Sequence, residues 1–344
     1  MKTIARISQS VLVLLAALPT LHTALLQAAI TESNLNKTFS VKPGGQLVMD
    51  VDRGSIVLKT TNGSDVIVEV KRKLKGADAA KAQEILAAHE VTFDQDGDHV
   101  EVRAKFKNDP SRWFNRGRMN LDVEYTVILP KQFNLDLRTG SGSIACADIE
   151  GVVKAHSAGG DLRFATITGP FDGSTGAGSI ALEHATGSAT AKSSGGDIRL
   201  GQMDETTTAD TGAGSIAVKA AKGRLSVRSS GGDLRLGLVE GPTTADTGAG
   251  SISVDTAKAS LRVRSSGGDL RLRELNEETF AETGAGSISV ASAKAKLIAK
   301  SAGGDIRLGK MEGETTAETG SGSISVKSSR AKLVVKSSGG DLRI

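Results

Sequence analysis

Large aromatic side chains are nearly missing from this sequence, which has one Trp, one Tyr and eight Phe in 344 residues. Aromatics supply much of the volume of an ordinary globular core. A chain this poor in them has to build a thin core from Val, Ile, Leu and Ala. Proline is scarce, at 6, and there is a single cysteine, Cys146. One thiol closes no intramolecular disulfide, so stability must come from packing and backbone pairing. Neither sign of charge dominates: 43 basic residues are interspersed with 39 acidic ones, for a net charge of +4. That excludes the concentrated basic surface that holds nucleic acid. Past the N-terminus, no apolar run approaches the ~18 residues of a membrane-spanning helix.

The first residues read as an export signal. Lys2 and Arg6 precede an apolar run, Val11 to Leu18, and small residues follow at Ala24, Ala28 and Ala29. Residues 1–29 are therefore expected to be a signal peptide. The rival, an uncleaved anchor, is weakened by Pro19, His22 and Gln27, which interrupt the run. No Cys follows the run to accept a lipid. The expected product is exported, to the periplasm, the cell surface or the medium, with no transmembrane segment in the mature chain.

What the sequence has in abundance is glycine, 41 residues, arranged periodically. Ser-Ser-Gly-Gly-Asp-Leu-Arg-Leu recurs with its first Gly at 159, 195, 231, 267, 303 and 339, a spacing of 36. Thr-Gly-Ala-Gly-Ser-Ile-Ser-Val recurs at the same spacing, offset by about half, so the finer repeat is 18. In that register one column reads Ile144, Leu162, Ile180, Ile198, Ile216, Leu234, and continues apolar to Leu342. A second apolar column lies two residues on, from Cys146 to Ile344. Ser, Ala or Arg stands between them, the period-two alternation of a half-buried strand. Leu261 to Ser265 marks a second strand per rung, with Gly pairs in the turns. The predicted fold is all-β: a right-handed parallel β-helix (β-solenoid) with 18-residue rungs over residues 139–344.

Charge supports that register. Lys192, Asp210, Arg228, Asp246, Arg264, Glu282, Lys300, Glu318 and Lys336 lie 18 apart and alternate in sign. Asp204, Lys222, Glu240, Lys258, Asn276, Lys294, Glu312 and Arg330 do the same with one neutral break. Stacked at about 4.8 Å, each charge sits between two opposite ones. Two complementary rung types then alternate, which makes the sequence repeat 36. A propeller with four strands in each 36-residue blade gives such columns no reason to exist.

Residues 30–138 are less regular and read as a β-rich head with one short helix. Gly45 to Lys59 and Asp65 to Lys73 alternate like strands, and Gly54-Ser55-Ile56 echoes the repeat. Helix is expected over 78–89, opened by Asp78 as N-cap. A hairpin through Asp96-Gly97 and a strand over Leu121 to Leu129, ended by Pro130, follow. The last residue, Ile344, falls within an apolar strand position, so end-to-end self-association is one expectation and fraying of the last rung another.

Candidate chemistry is sparse. Gly-Gly-Asp suggests a calcium β-roll, but Ser251 replaces Asp269 in the alternate rung, leaving too few carboxylates. Asp94 to Asp98 has its Gly misplaced for an EF-hand and no closing Glu. His89, His99, His156 and His184 form no metal-ligand spacing, and Cys146 falls in an apolar column. No catalytic, metal or cofactor residues are assigned. Two features suggest binding. One is an outward row including Arg199, Arg235, Arg271 and Arg307, two rungs apart, which either meets an anionic polymer or pairs with Asp197, Asp233, Asp269 and their equivalents. The other is the segment holding Arg112, Trp113, Phe114, Arg116 and Arg118, a loop or a contact site.

The order of these parts is informative. A Gly-Ser-Ile strand, a Lys/Arg-rich strand, an Ala-rich helix, a hairpin and Tyr125 to Pro130 lead into Gly-x-Gly-Ser-Ile and Gly-Gly-Asp-Leu repeats. This layout resembles the bacterial putative-adhesin family of β-strand-repeat proteins. The resemblance implies an extracytoplasmic β-helix and, by name, adhesion. The expected function is a non-enzymatic adhesin-like or scaffold protein that binds an envelope glycan, a surface or a protein. The alternatives are a carbohydrate-active enzyme on a β-helix and a self-associating structural rod.

Overall fold

The computed structural model describes residues 30–107 and 120–344. The expected signal peptide and the segment from Arg112 to Arg118 lie outside them.

Each regular rung spends its 18 residues on a five-residue strand and a six-residue strand, such as Leu225–Ser229 and Leu234–Val239. Successive rungs pair in parallel and in register, so Leu234 faces Ile252 and Leu225 faces Thr243. Direct pairing of residues 18 apart is the solenoid arrangement and not that of a propeller. The five-residue strands form one sheet and the six-residue strands the other, back to back. Twelve rungs run from Asn134–Thr139 with Ile144–Cys146 to Leu333–Ser337 with Leu342–Arg343. At about 4.8 Å per rung the stack is about 55 Å long. In the last rung Leu333 and Val335 are half-buried, and Leu342 and Ile344 are exposed.

The core is the slot between the sheets. Leu225, Val227, Leu234, Leu236 and Val239 all point into it and are buried. The next rung places smaller residues there: Thr243, Ala245, Ile252, Val254 and Ala257. Large and small rungs alternate through Leu261, Val263 and Leu275, then Thr279, Ala281 and Ala293. A bulky rung thus sits between two slim ones, which lets side chains interdigitate along the axis. This is a second cause of the 36-residue repeat, besides charge.

One corner is built from hydroxyls and glycines. The Ser229 hydroxyl donates to the Gly214 carbonyl of the preceding rung at 2.9 Å and accepts from the Gly232 N–H at 2.9 Å. The same bridge recurs at Thr211, Ser265 and Thr319. Buried Ser and Thr are tolerable here because their hydroxyls are hydrogen-bonded. Gly232 stacks directly on Gly214, and a Cβ there would overlap the Gly214 carbonyl.

The N-terminal strands extend both sheets, in an order that departs from chain order. They are β1 (Ile30–Ser40), β2 (Gln46–Val51), β3 (Ser55–Thr61), β4 (Asp65–Lys75), β5 (His89–Asp96), β6 (His99–Phe106) and β7 (Asn120–Pro130). β2 and β3 make a rung of their own, turning at Gly54 with φ +116°. On one side it pairs with the first regular rung, Gln46 to Asn134 and Ile56 to Ile144. On the other it pairs with β6 and β7, Gln46 to His99 and Ile56 to Tyr125. The rung made first in the chain is therefore held between two made later. Beyond it, β4 runs antiparallel to β7, β1 antiparallel to β4, and β5 antiparallel to β6.

Helix α1 (Ala79–Ala88) closes this end. Asp78 caps it by accepting the Lys81 N–H at 2.8 Å, and Ala82 and Ile85 are its buried face. The Asp96-Gly97 turn joins β5 to β6, with Gly97 at φ +58°. β1 was not signalled by the sequence pattern. Gly45 to Lys59 holds two strands, β2 and β3, and the echo of the repeat at Gly54-Ser55-Ile56 begins at the turn between them.

Candidate functional site

On the six-residue strands Ile198 and Leu200 point inward, so Arg199 between them must point out. Arg235, Arg271 and Arg307 are placed in the same way. Each guanidinium touches the carboxylate two residues before it: Arg199 to Asp197 at 2.7 Å, Arg235 to Asp233 at 2.9 Å, Arg271 to Asp269 at 2.8 Å and Arg307 to Asp305 at 2.6 Å. The contact uses Nη2 and Oδ2 alone, and the arginine side chains remain 61–62% exposed. The other carboxylate oxygen has a structural task. Asp197 Oδ1 accepts the N–H of Ser215 in the next rung at 3.0 Å, and Asp233 does the same for Ser251 at 2.9 Å. Asp is thus fixed to the stack, and it holds each arginine upright by one nitrogen, leaving further donors toward solvent.

Between the arginines stand Ala181, Ala217, Ser253 and Ser289, one rung away in the ladder. Long and short side chains alternate, so the face is a comb with teeth about 9.6 Å apart. Shallow grooves follow. One of about 470 Å³ runs past Arg199 and Arg235 over Ala181, Ala217 and Ser253. Others of about 330 Å³ and 540 Å³ flank Arg307.

The opposite face is neutralised along its axis. Arg264 meets Glu282 at 3.3 Å, Lys300 meets Glu318 at 3.0 Å, and Lys336 meets Glu318 at 3.5 Å. Lys300 holds the Glu318 carboxyl below the usual carboxylate range. The second column pairs too, with Lys222 on Asp204 at 2.8 Å and Lys258 on Glu240 at 2.5 Å. Lys222, aided by His184, pulls the Asp204 carboxyl down to about 2. A third column, Lys296 with Glu278 and Lys332 with Glu314, escaped the sequence reading.

The head adds a buried polar cluster. Arg72 Nη1 donates to the carbonyls of Leu86 and His89, both at 3.0 Å, and Nη2 donates to Ser33 Oγ at 2.8 Å. A cation at the open carbonyls of a helix C-terminus is favourable. His89 is buried with neither ring nitrogen hydrogen-bonded, and the Tyr125 hydroxyl is likewise unpartnered. Burial, reinforced by the Arg72 charge, lowers the His89 pKa to about 4. In sequence Arg72 lies in a Lys-Arg-Lys run, although the alternation of Val66, Val68, Val70 and Leu74 puts it on the buried side of β4.

Cys146 is buried, and burial pushes its thiol up to about 12. Among the described residues no cluster of three or more His, Cys, Asp or Glu could hold a metal ion. No helix among them is long and apolar enough to cross a membrane. The residues Arg112, Trp113, Phe114, Arg116 and Arg118 are outside the described structure.

The profile of a family described as Toastrack DUF4097 matches residues 45–308. No curated protein matches the chain. Among solved structures it is similar to a putative adhesin from Bacteroides fragilis, at 14% identity and a TM-score of 0.30, covering 91% of this chain and 97% of that one. A putative lipid binding protein from Parabacteroides distasonis matches at 13% identity and 0.23, covering 90% and 96%. A putative cell adhesion protein from Clostridium sporogenes matches at 11% and 0.22, covering 64% and 99%. Likenesses this weak carry no argument about function.

Proposed function

This chain belongs to the Toastrack DUF4097 family, and from that premise we propose that it is a non-enzymatic, exported adhesin-like scaffold that binds through the long face of its solenoid. The carrying observation is the arginine comb. The same upright guanidinium is offered at every second rung, each anchored by an aspartate that is itself tied to the backbone. Repetition of a modest contact suits an extended partner, because linked contacts add through effective concentration. Catalysis asks for the opposite, several unlike groups converging on one point. The acids of this solenoid recur at fixed intervals, and most of them hold an arginine, a lysine or a backbone N–H. The apolar leader after Lys2 and Arg6 supports export.

The test is binding of the purified chain to a panel of envelope glycans and proteins. Loss is expected when Arg199, Arg235, Arg271 and Arg307 are changed together to Ala, with Trp113→Ala reporting on the head segment. Absence of binding to every member, this chain included, would remove the adhesin-like reading. Turnover of a glycan would replace it with the enzyme reading.

A further inference from the structure

We propose that the partner of the arginine face is the same face of a second copy, with two rods antiparallel and the arginines of each seated in the gaps of the other. This rests on the reading of that face as the binding face, and it names the occupant.

Shape is the first argument. Teeth and gaps alternate rung by rung, Arg199, Ala217, Arg235, Ser253, Arg271, Ser289, Arg307. A comb whose teeth and gaps share one period is complementary to itself, with no coincidence of spacing required. A two-fold axis between the rungs of Arg235 and Ser253 sets Arg235 opposite Ser253 of the second copy. The same axis sets Arg199 opposite Ser289, Arg271 opposite Ala217 and Arg307 opposite Ala181. Every tooth then meets a small residue. This contact is isologous and closes as a dimer.

Charge is the second argument. The face carries an aspartate at the foot of each arginine, so its two rows balance. An acidic polymer would meet the Asp row as well as the Arg row. A second copy offers both signs, and each entering guanidinium lies between two rungs whose carboxylates can accept from its free donors. The opposite face also carries a groove, about 670 Å³ along Arg264, Glu282, Lys300 and Glu318, but its charges there are already paired with each other along the axis.

Area is the third. The eight rungs from Ala181 to Arg307, at about 4.8 Å each, by six residues at about 3.3 Å give roughly 760 Å² per copy. Two copies would bury roughly 1,500 Å², within the range of a standard specific interface. Twisted sheets pack face to face within about 30° of alignment, which concentrates contact on the central teeth.

The experiment is sedimentation equilibrium of the full chain between about 1 and 100 µM, the range in which such an interface of ordinary quality associates. Twice the mass of the single chain is expected for wild type. Two variants should sediment as single chains while keeping the wild-type circular dichroism: the Arg199, Arg235, Arg271 and Arg307 quadruple Ala variant, and Ser253→Arg, which fills a gap with a like charge. The arginines are exposed, and Ser253 is half-buried on the outward side of its strand. A monomeric wild type overturns the proposal, as does a dimer that both variants preserve. A parallel arm uses alginate as a carboxylated glycan. A wild-type monomer that binds alginate through the four arginines overturns self-pairing and leaves the binding-face reading intact. A monomer that binds nothing overturns both.

Discussion

The two glycines of one Gly-Gly pair should respond oppositely to alanine. At Gly232 a Cβ would overlap the Gly214 carbonyl, and the atom in the way is backbone, which cannot swing aside. The rungs would have to part locally by about 1 Å to restore an ordinary carbon–oxygen contact. That opening strains the Ser229 bridge, whose two hydrogen bonds at 2.9 Å join the same glycines. Overpacking costs about 1–3 kcal/mol, and a weakened pair of buried hydrogen bonds about 1–2 kcal/mol more. Gly232→Ala should therefore destabilise by roughly 3–5 kcal/mol. At Gly231 the added Cβ would meet nothing nearer than the Ala213 carbonyl at 3.7 Å, an ordinary contact. Gly231→Ala should be neutral or slightly stabilising, because it narrows the unfolded ensemble. The repeats make the same distinction. The position of Gly231 is Ala213 and Ala249 in the flanking rungs, whereas that of Gly232 is Gly214 and Gly250. Thermal melts by circular dichroism would read a fall of about 5–10 °C for Gly232→Ala and no fall for Gly231→Ala. A central defect in a stack of nearest-neighbour units should also split the transition. Equal melting of the two variants would refute the steric account of the glycine column.

Three further outcomes are expected. His89 takes up a proton less readily in the folded chain, near pH 4, than in the unfolded one, near 6.5. The unfolded state thus binds more protons between those values, and stability present above pH 6.5 should fall by at most about 3 kcal/mol as pH drops toward 4; His89→Phe should flatten that slope in urea melts. Arg72→Met should leave the Leu86 and His89 carbonyls unpaired and cost about 2–4 kcal/mol, seen as faster amide exchange in α1 with the distant rungs unchanged. Cys146 should resist a thiol reagent in the native protein at neutral pH and react at once in denaturant; rapid native labelling would contradict its burial.

Much of the solenoid was legible because its columns are redundant. An apolar position repeated every 18 residues cannot be mistaken for chance, and the strand pairing follows from it. Asp78 as helix cap and Asp96-Gly97 as hairpin turn were legible for local reasons, each acting within a few residues. The volume alternation lay in the same columns but was hidden by reading apolar as one class. Met203, Val239 and Leu275 form a third buried column, spaced three residues after Leu200, Leu236 and Leu272, which breaks strict alternation. β1 went unseen because its only large apolar residues besides Ile30 are Leu35 and Phe39, and it is held by pairing with β4. The arginine row was read from alternation alone. What sequence could not supply is the division of labour on each aspartate, one oxygen for the backbone and one for the arginine. Arg72 was missed because three cations in a row look like a solvated strand.

The rung made by β2 and β3 has a consequence for how the rod comes apart. A simple stack frays from either end, one unit at a time. Here the earliest rung is latched between β6–β7 and the strands after Asn134. Tension on the N-terminal side can strip β1 from β4, but it cannot free β2 and β3 until their pairing on both sides has let go. Assembly meets the same latch in reverse, since this rung has both partners only once residues 99–146 have arrived, and that long loop must close before pairing rewards it. The head therefore works as a one-way stop: the rod can lengthen or shed rungs on the repeat side while its beginning stays locked.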